Sequence, residues 1–267
     1  MRLLLAAAIA VATALLFALL ALPVAALFLH TSPRELIRQL GEPVVLEALR
    51  LSLVTSTGAT LVVVVLGLPA AYLLATRSFP GKRMVDALVN LPMVLPPTVA
   101  GLALLLAFGR AGLLGGALEV LGVRLPFTTL GVVVAQAFMA APFFVAPCRA
   151  GIAAVEPRYL DMAKTLRGGE GYTFFRVVLP LSLPSLLAGA AMAWARALGE
   201  FGATITFAGN LAGRTQTMPL AVYVRLQTDL DAAVALSVVL VAVAFALLLG
   251  LQLAPVMPFW KRADAGR

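Results

Sequence analysis

Residues 161–180 read DMAKTLRGGEGYTFFRVVLP and form a charged interruption in a chain that is otherwise dominated by apolar residues. Pro157, just upstream, suits the first turn of a helix. Apolar side chains then recur at three- and four-residue spacing from Tyr159 to Leu166, and Gly168 ends the pattern. The stretch therefore predicts a short surface helix with a polar outer face, which in such a chain is usually offered to a partner.

The composition indicates a polytopic membrane protein. Hydrophobic residues make up 62% of the 267 residues and charged residues only 12%, whereas a soluble domain carries about 25% charged residues. The net charge of +8 comes from basic residues scattered between apolar runs, without the clustered stripe that nucleic-acid binding needs. Cys148 is the only cysteine and His30 the only histidine, which excludes an internal disulfide and makes a zinc cluster or a Ser-His-Asp triad untenable.

Six apolar segments have the length that a transmembrane helix requires, about 20 residues for a hydrocarbon core of about 30 Å. They cover about residues 3–29, 47–75, 84–108, 129–149, 185–208 and 232–254. The first is too long for the apolar region of a secretory signal, about 7–15 residues, so we expect a retained anchor. The sequence therefore predicts an all-α protein with six spans and a cytoplasmic coupling loop at about 150–184.

The distribution of Lys and Arg predicts the orientation. The two termini, the connection after the second span and the 150–184 loop carry twelve basic residues when the adjoining span ends are included, and the other connections, counted in the same way, carry seven. Because cytoplasmic loops are enriched in Lys and Arg, we expect both termini and the 150–184 loop inside. The connections at 30–46, 109–128 and 209–231 would lie outside, the second with a short surface helix around 117–121.

The third span opens with three prolines, Pro92, Pro96 and Pro97, followed by Thr98. Each proline removes a backbone donor and crowds the preceding turn, so an undisturbed helix cannot continue here. The freed carbonyl groups need partners from protein or water, which places the segment against another helix or a wet cavity. Two interpretations stay open: a kink that shapes packing, and a lining or gating element.

The fifth span carries small residues nearly throughout, which allows close helix approach, and it contains Arg196 and Glu200. Two charges facing lipid would cost about 5 kcal/mol or more, so we expect them to face protein. The four-residue spacing allows a mutual ion pair. Either Arg196 lines a polar route for an anion, with Thr204, Thr206 and Asn210 further out, or the pair only fixes helix packing.

The spacing around Asp161 resembles the cytoplasmic signature of ABC-importer permeases. In that signature an acidic residue, two alanines and a glycine precede Ile-x-Leu-Pro, and here Asp161, Ala163 and a Val-Val-Leu-Pro run fall in register. Met162 replaces the first alanine, and Arg167 stands where the glycine is usual, with glycine displaced to Gly168. This departure is either a variation in where the helix ends or an altered fit to a dedicated ATPase.

Further segments resemble the molybdate-importer permeases, over about residues 45–250. They are LPMVLPPT at 91–98, LPFT at 125–128, ALGEFGAT at 197–204, FAGN at 207–210 and GRTQTMPLAVY at 213–223. Tungstate and sulfate permeases share much of the Gly-Glu-Phe-Gly-Ala region, and the Gly-Arg-Thr-Gln-Thr segment favours molybdate. All three anions are tetrahedral dianions, so the resemblance leaves tungstate and sulfate or thiosulfate as alternatives.

The resemblance implies the type I ABC-importer permease fold in one transmembrane domain over residues 1–267. It implies a homodimer in the inner membrane of a bacterium or archaeon, two copies of a separate ATPase, and an extracytoplasmic binding protein. The residues expected to couple to the ATPase are Arg158, Asp161, Met162, Ala163, Thr165, Arg167 and Gly168. Those expected along the translocation path are Pro96, Thr98, Arg196, Glu200, Thr204, Thr206 and Asn210.

The chain itself is expected to be a transport subunit without catalytic, cofactor-binding or metal-binding residues. It contains no Gly-x-x-x-x-Gly-Lys-[Ser/Thr] phosphate loop; the nearest segment, around Gly81, lacks the first glycine and the hydroxyl. An ion-driven secondary transporter would carry several intramembrane acidic groups and an inverted repeat. An intramembrane enzyme would need a catalytic set within the bilayer. Neither pattern is present in the sequence.

Overall fold

The computed structural model describes residues 1–165 and 169–253, and this part of the chain is α-helical without strands. In chain order the helices are α1 (Arg2–His30), α2 (Pro33–Leu40), α3 (Pro43–Thr76), α4 (Lys82–Val94), α5 (Pro97–Phe108), α6 (Gly115–Val120), α7 (Thr129–Ala153), α8 (Pro157–Thr165), α9 (Glu170–Thr173), α10 (Leu179–Leu198), α11 (Gly202–Phe207), α12 (Met218–Leu226) and α13 (Leu230–Leu253). A π-helical segment, Phe174–Val178, joins α9 to α10 without a break.

Local sequence explains where several helices begin. The hydroxyl of Ser32 accepts a hydrogen bond from the Glu35 amide at 3.2 Å at the start of α2, and Thr128 does the same for Gly131 at 3.1 Å at the start of α7. Such caps satisfy amide groups that have no partner within the helix. Helices α2, α3 and α5 also begin on proline, whose fixed φ suits the first helical position.

Five helical segments are long and apolar enough to cross a membrane: α1, α3, α7, the continuous stretch Glu170–Leu198, and α13. Helix α5 is apolar but shorter. The prediction of an all-α polytopic membrane protein is therefore confirmed, with five helices of spanning length and one shorter apolar helix among the described residues.

Two of the predicted spans are not single helices. The segment at 84–108 divides into α4 and α5 at Leu95, whose extended backbone precedes Pro96 and Pro97, because a residue before proline disfavours the α conformation. The predicted span at 185–208 begins earlier, at Glu170, and ends at Leu198. Helix α11 follows after a break at Gly199.

The connections hold more helix than the sequence predicted. The 30–46 connection contains α2 and the 209–231 connection contains α12, neither of which was anticipated, whereas the predicted short helix of the 109–128 connection is α6. Most of the predicted loop at 150–184 is also helical, since it contains the end of α7, all of α8 and the beginning of the Glu170–Leu198 stretch.

Helix α7 lies at the centre of the bundle and packs against α3, α10 and α4. Phe144 on α7 is 1% exposed and meets α3 and α10 at glycines: a Cβ at Gly67 would lie 3.0 Å from its ring, and one at Gly189 would lie 3.1 Å from its carbonyl oxygen. In contrast, α1 packs mainly along α13 and leaves nearly all its side chains exposed in the single chain. The fold therefore consists of a packed α3–α7–α10 core with α1 at its periphery.

Polar contacts gather at the two ends of the bundle. At one end, here called the α8 end, Arg77 pairs with Glu170 and Asp86 pairs with Arg149. At the other, the α2 end, Glu42 at the start of α3 pairs with Arg225 of α12. On α2 itself, a hydrogen bond from Gln39 at 2.8 Å and the neighbouring Arg38 guanidinium lower the pKa of Glu35.

Candidate functional site

Arg196 and Glu200 form a closed ion pair, with Arg196 Nη2 2.6 Å from Glu200 Oε2. Arg196 lies in the last turn of α10, whereas Glu200 lies beyond the end of that helix, in the connection to α11. The two residues therefore do not share a helical face as predicted, but the pair forms across the helix end. The Glu200 side chain is 1% exposed and that of Arg196 is 24% exposed.

The second oxygen of Glu200 caps α11. Glu200 Oε1 accepts a hydrogen bond from the Ala203 amide at 2.7 Å in a buried environment. A carboxylate at this position satisfies an amide that has no partner within the helix and also faces the positive end of the helix dipole. One buried carboxylate thus connects the end of α10 to the start of α11.

Helices α5 and α11 approach each other closely, and glycines make the contact possible. A Cβ on Gly202 would lie 2.6 Å from Pro97 Cβ and 3.3 Å from the amide nitrogen of Thr98. A Cβ on Gly101 would lie 2.6 Å from Thr206 Cβ. Distances under 3.0 Å are not tolerated, so no larger residue fits at either position without displacing a helix. The break before α5 therefore lies directly against the break before α11.

The structure brings most of the predicted path residues to this contact. Pro96 and Thr98 lie at the start of α5 and are exposed in the single chain, whereas Thr204 is fully buried on α11. The Thr206 hydroxyl donates to the Gly202 carbonyl at 2.9 Å. The hydroxyl of Thr204 and the Oδ1 atom of Asn210 are buried and have no hydrogen-bond partner among the described residues.

Sequence reasoning missed Gln136, which is fully buried in α7, the helix that packs against α11. Neither polar atom of its amide has a hydrogen-bond partner within the described part of the chain. Buried amides without partners are uncommon and often mark a site of function or ordered water. The signal was available, because Gln136 is the single amide side chain in the apolar run of residues 129–149.

The short helix predicted at about residues 157–167 is present as α8, and its residues divide between two faces. Arg158, Asp161 and Met162 are exposed, whereas Ala163 is 3% exposed and faces the bundle. The Arg158 guanidinium lies 4.8 Å from the centre of the Tyr159 ring, a cation–π contact. Thr165 ends α8, while Arg167 and Gly168 lie outside the described residues.

The segment that follows α8 is attached to the core of the bundle. Glu170 pairs with Arg77 at the end of α3, and the Phe174 ring contacts the Tyr72 ring edge-on with centres 4.9 Å apart. The stretch that begins at Glu170 then continues without a break to Leu198, next to Glu200. One continuous helix therefore leads from the segment after α8 to the α11 contact.

Comparison with known proteins agrees with this geometry. Residues 63–254 match the family described as "Binding-protein-dependent transport system inner membrane component". The chain belongs to this family. It is therefore a multi-pass membrane component of a binding-protein-dependent transport system, which confirms the prediction of a transport subunit.

Several relatives within the family have closely similar sequences. The molybdenum transport system permease protein ModB of Mycobacterium tuberculosis is 46% identical over 203 residues, 76% of this chain and 77% of the relative. ModB of Escherichia coli K12 is 39% identical over 203 residues, 76% of this chain and 89% of the relative. The sulfate transport system permease protein CysT of the same organism is 36% identical over 246 residues, 90% of this chain and 89% of the relative.

The solved structures that resemble this one share the fold. The crystal structure of a bacterial ABC transporter involved in the import of the acidic polysaccharide alginate superposes with a TM-score of 0.76 at 16% identity, covering 94% of each chain. An amino acid ABC transporter superposes with a TM-score of 0.53 at 18% identity, covering 82% of this chain. The predicted fold of an ABC-importer permease is thereby confirmed.

The two roles of Glu200 predict an order of stabilities. Glu200→Gln removes the ion pair but keeps an oxygen for the Ala203 amide, whereas Glu200→Ala removes both. Because a helix cap contributes about 1 kcal/mol, we expect the melting temperature of the purified protein to fall further for Glu200→Ala, by roughly 2–4 °C.

Glu119→Gln is the matched control, because Glu119 forms an exposed ion pair with Arg110 at 3.3 Å and exposed pairs contribute little. Its melting temperature should equal that of the wild-type protein. Equal melting temperatures for Glu200→Gln and Glu200→Ala would show that the carboxylate does not cap α11.

Proposed function

We propose that this chain is the permease subunit of an ATP-driven, binding-protein-dependent importer of molybdate. The observation that carries the proposal is the similarity to ModB, 46% and 39% identity to two proteins whose names specify molybdenum transport. The Gly-Arg-Thr-Gln-Thr segment at 213–217 supports the same substrate. Tungstate is a tetrahedral dianion of the same chemistry and is expected to share the route.

Sulfate is the second candidate substrate, and a specific observation favours it. CysT, a sulfate permease, is 36% identical over 90% of this chain, a longer alignment than the one with ModB. Thiosulfate would belong to the same alternative. The charge and geometry of the anions are alike, so a polar lining alone does not choose between them, and discrimination would depend largely on the binding protein.

In the assembly that we propose, two copies of this chain, with one transmembrane domain each, combine with two copies of an ATPase and an extracytoplasmic binding protein. One of the solved relatives was crystallised with its periplasmic protein bound to an alginate pentasaccharide. The α8 end would lie in the cytoplasm with both termini, because the basic residues are concentrated there.

The ATPase would bind the exposed face of α8. Arg158, Asp161 and Met162 present their side chains on that face, and Ala163 anchors the opposite face to the bundle. Thr165, Arg167 and Gly168 would complete the contact. ATP binding can drive transport only if the closed ATPase pair prefers one arrangement of the permease over the other.

The translocation path would run along the contact between α5 and α11. Pro96 and Thr98 are exposed there in the single chain and would face the second copy. Because Glu200 neutralises Arg196 at 2.6 Å, the anion would rely on neutral donors. Thr204 and Thr206, which lie on α11, and Asn210, which follows it, would supply these donors.

An uptake experiment tests the substrate. Cells with and without this gene are given labelled molybdate at nanomolar concentration, with sulfate or tungstate as competitor. We expect deletion to abolish high-affinity uptake and sulfate to compete poorly. Unchanged molybdate uptake together with reduced sulfate uptake would refute the molybdate assignment and establish the second candidate.

A charge reversal tests the coupling role of α8. Asp161→Lys changes the charge of the face that would contact the ATPase without altering the core, so we expect ATP hydrolysis to continue while uptake falls by at least tenfold. Immunoblotting of membranes checks that the variant is present. Glu119→Lys, the same change at the α2 end, is the control and should transport normally; normal transport by Asp161→Lys would refute the docking role.

A further inference from the structure

An ion pair between Asp86 of α4 and Arg149 of α7 lies at the α8 end, outside the contact described above. Both side chains remain more than one third exposed, because they border a cavity of about 390 Å³ between the two helices. Asn90 lines the same cavity. The spacing of Asp86, Val89 and Asn90 directs one face of α4 toward it.

A second cavity, of about 480 Å³, adjoins the first and shares Asp86 and Arg149 with it. Its lining adds Ser78, Lys82 and Arg83. The two cavities thus lie on either side of one ion pair, and we refer to them together as the α4–α7 cavity. Each volume falls in the range of small-molecule sites, about 300–1,000 Å³.

The lining of the α4–α7 cavity is positively charged. Arg149, Lys82 and Arg83 contribute three cations, and Asp86 contributes the single carboxylate among the described lining residues. Lys82 Nζ donates to the carbonyl oxygen of Arg77 at 2.8 Å, a contact that leaves its charge uncompensated. The cavity therefore carries two more positive charges than negative ones, and Ser78 adds a hydroxyl donor.

We propose that the α4–α7 cavity binds a tetrahedral oxyanion, with Lys82, Arg83 and Arg149 as its cationic ligands. Such an anion accepts bidentate hydrogen bonds from a guanidinium group, and the Arg149 guanidinium now donates a hydrogen bond to Asp86 Oδ1 instead. Asp86 occupies the place of the anion and competes with it for Arg149. The competition keeps the affinity low, as a site that must release its ligand requires.

The tetrahedral oxyanion that binds in this cavity could come from two sources. One is a free dianion, which under the proposed function is the imported oxyanion on its way out; in that form the inference rests on the proposed function. The other is the phosphate group of an anionic lipid, since basic cavities between transmembrane helices at the cytoplasmic surface bind such headgroups. Both sources use the same cations.

A purely structural role for these residues makes a different prediction. If the Asp86–Arg149 pair only held α4 against α7, neutralising Asp86 would loosen the cavity and weaken any binding. If Asp86 competes with the anion, Asp86→Asn frees the guanidinium and strengthens binding. Neutralising Lys82 and Arg83 should weaken anion binding and leaves the Asp86–Arg149 ion pair intact. The test therefore does not depend only on a variant in which that pair is broken.

The experiment uses the full chain in lipid nanodiscs at low ionic strength. In one arm, equilibrium dialysis measures the binding of labelled molybdate and, separately, of labelled inorganic phosphate in phosphatidylcholine nanodiscs. In the other arm, native mass spectrometry counts the phosphatidylglycerol molecules that the protein retains. The variants are Lys82→Ala with Arg83→Ala, and Asp86→Asn. The matched control is Arg110→Ala with Arg124→Ala, which removes two exposed charges at the α2 end.

We expect the Lys82 and Arg83 double variant to bind roughly tenfold more weakly, Asp86→Asn to bind about threefold more tightly, and the control to match the wild type. Raising the salt concentration should weaken binding, because these charges are exposed and screened. If the affinities measured by dialysis follow this order of variants, the ligand is a free anion. If the number of retained phosphatidylglycerol molecules follows the same order, the ligand is a lipid headgroup. Equal binding by all proteins in both arms, or weaker binding by Asp86→Asn, would overturn the proposal.

The result is separable from the proposed function. Phosphate binding that follows the expected order stands even if the uptake experiment shows that molybdate is not the substrate. Conversely, normal molybdate uptake by cells, with no difference between the variants in either arm, would leave the importer in place and remove the site.

Discussion

The buried carboxylate of Glu200 stabilises the junction between α10 and α11, on which the rest of this structure depends. One of its oxygens pairs with Arg196 at 2.6 Å and the other accepts from the Ala203 amide at 2.7 Å. In a membrane, backbone groups freed by a broken helix must find partners within the protein. Glu200 provides one at the break between α10 and α11, and Gly202 then lets α11 pack directly on the second broken helix, α5.

This arrangement connects the α8 end of the molecule to the α5–α11 contact. The stretch Glu170–Leu198 starts at the α8 end, where Glu170 is tied to Arg77, and finishes beside Glu200. The π-helical segment Phe174–Val178 near its beginning is a local departure of the kind that is frequent at functional positions. One continuous helix thus lies between the segment that follows α8 and the α5–α11 contact.

The sequence predicts what depends on composition and local chemistry, and it misses what depends on contacts between distant segments. The apolar runs predicted the membrane helices, and the prolines at 92, 96 and 97 predicted a broken segment. The end of α10 at Leu198 was missed, because the small apolar residues on both sides continue without a proline. The Asp86–Arg149 pair joins residues 63 positions apart, and no local pattern marks such a partnership.

The most direct test of this account is a comparison of two glycine substitutions by uptake of the transported anion. A Cβ at Gly202 would lie 2.6 Å from Pro97 Cβ, whereas one at Gly199 would meet nothing closer than 3.7 Å. With both variants present in the membrane at wild-type level, the account predicts that Gly202→Ala loses most of the uptake and Gly199→Ala retains it. Wild-type uptake by Gly202→Ala would contradict the claim that transport depends on the close contact between α5 and α11.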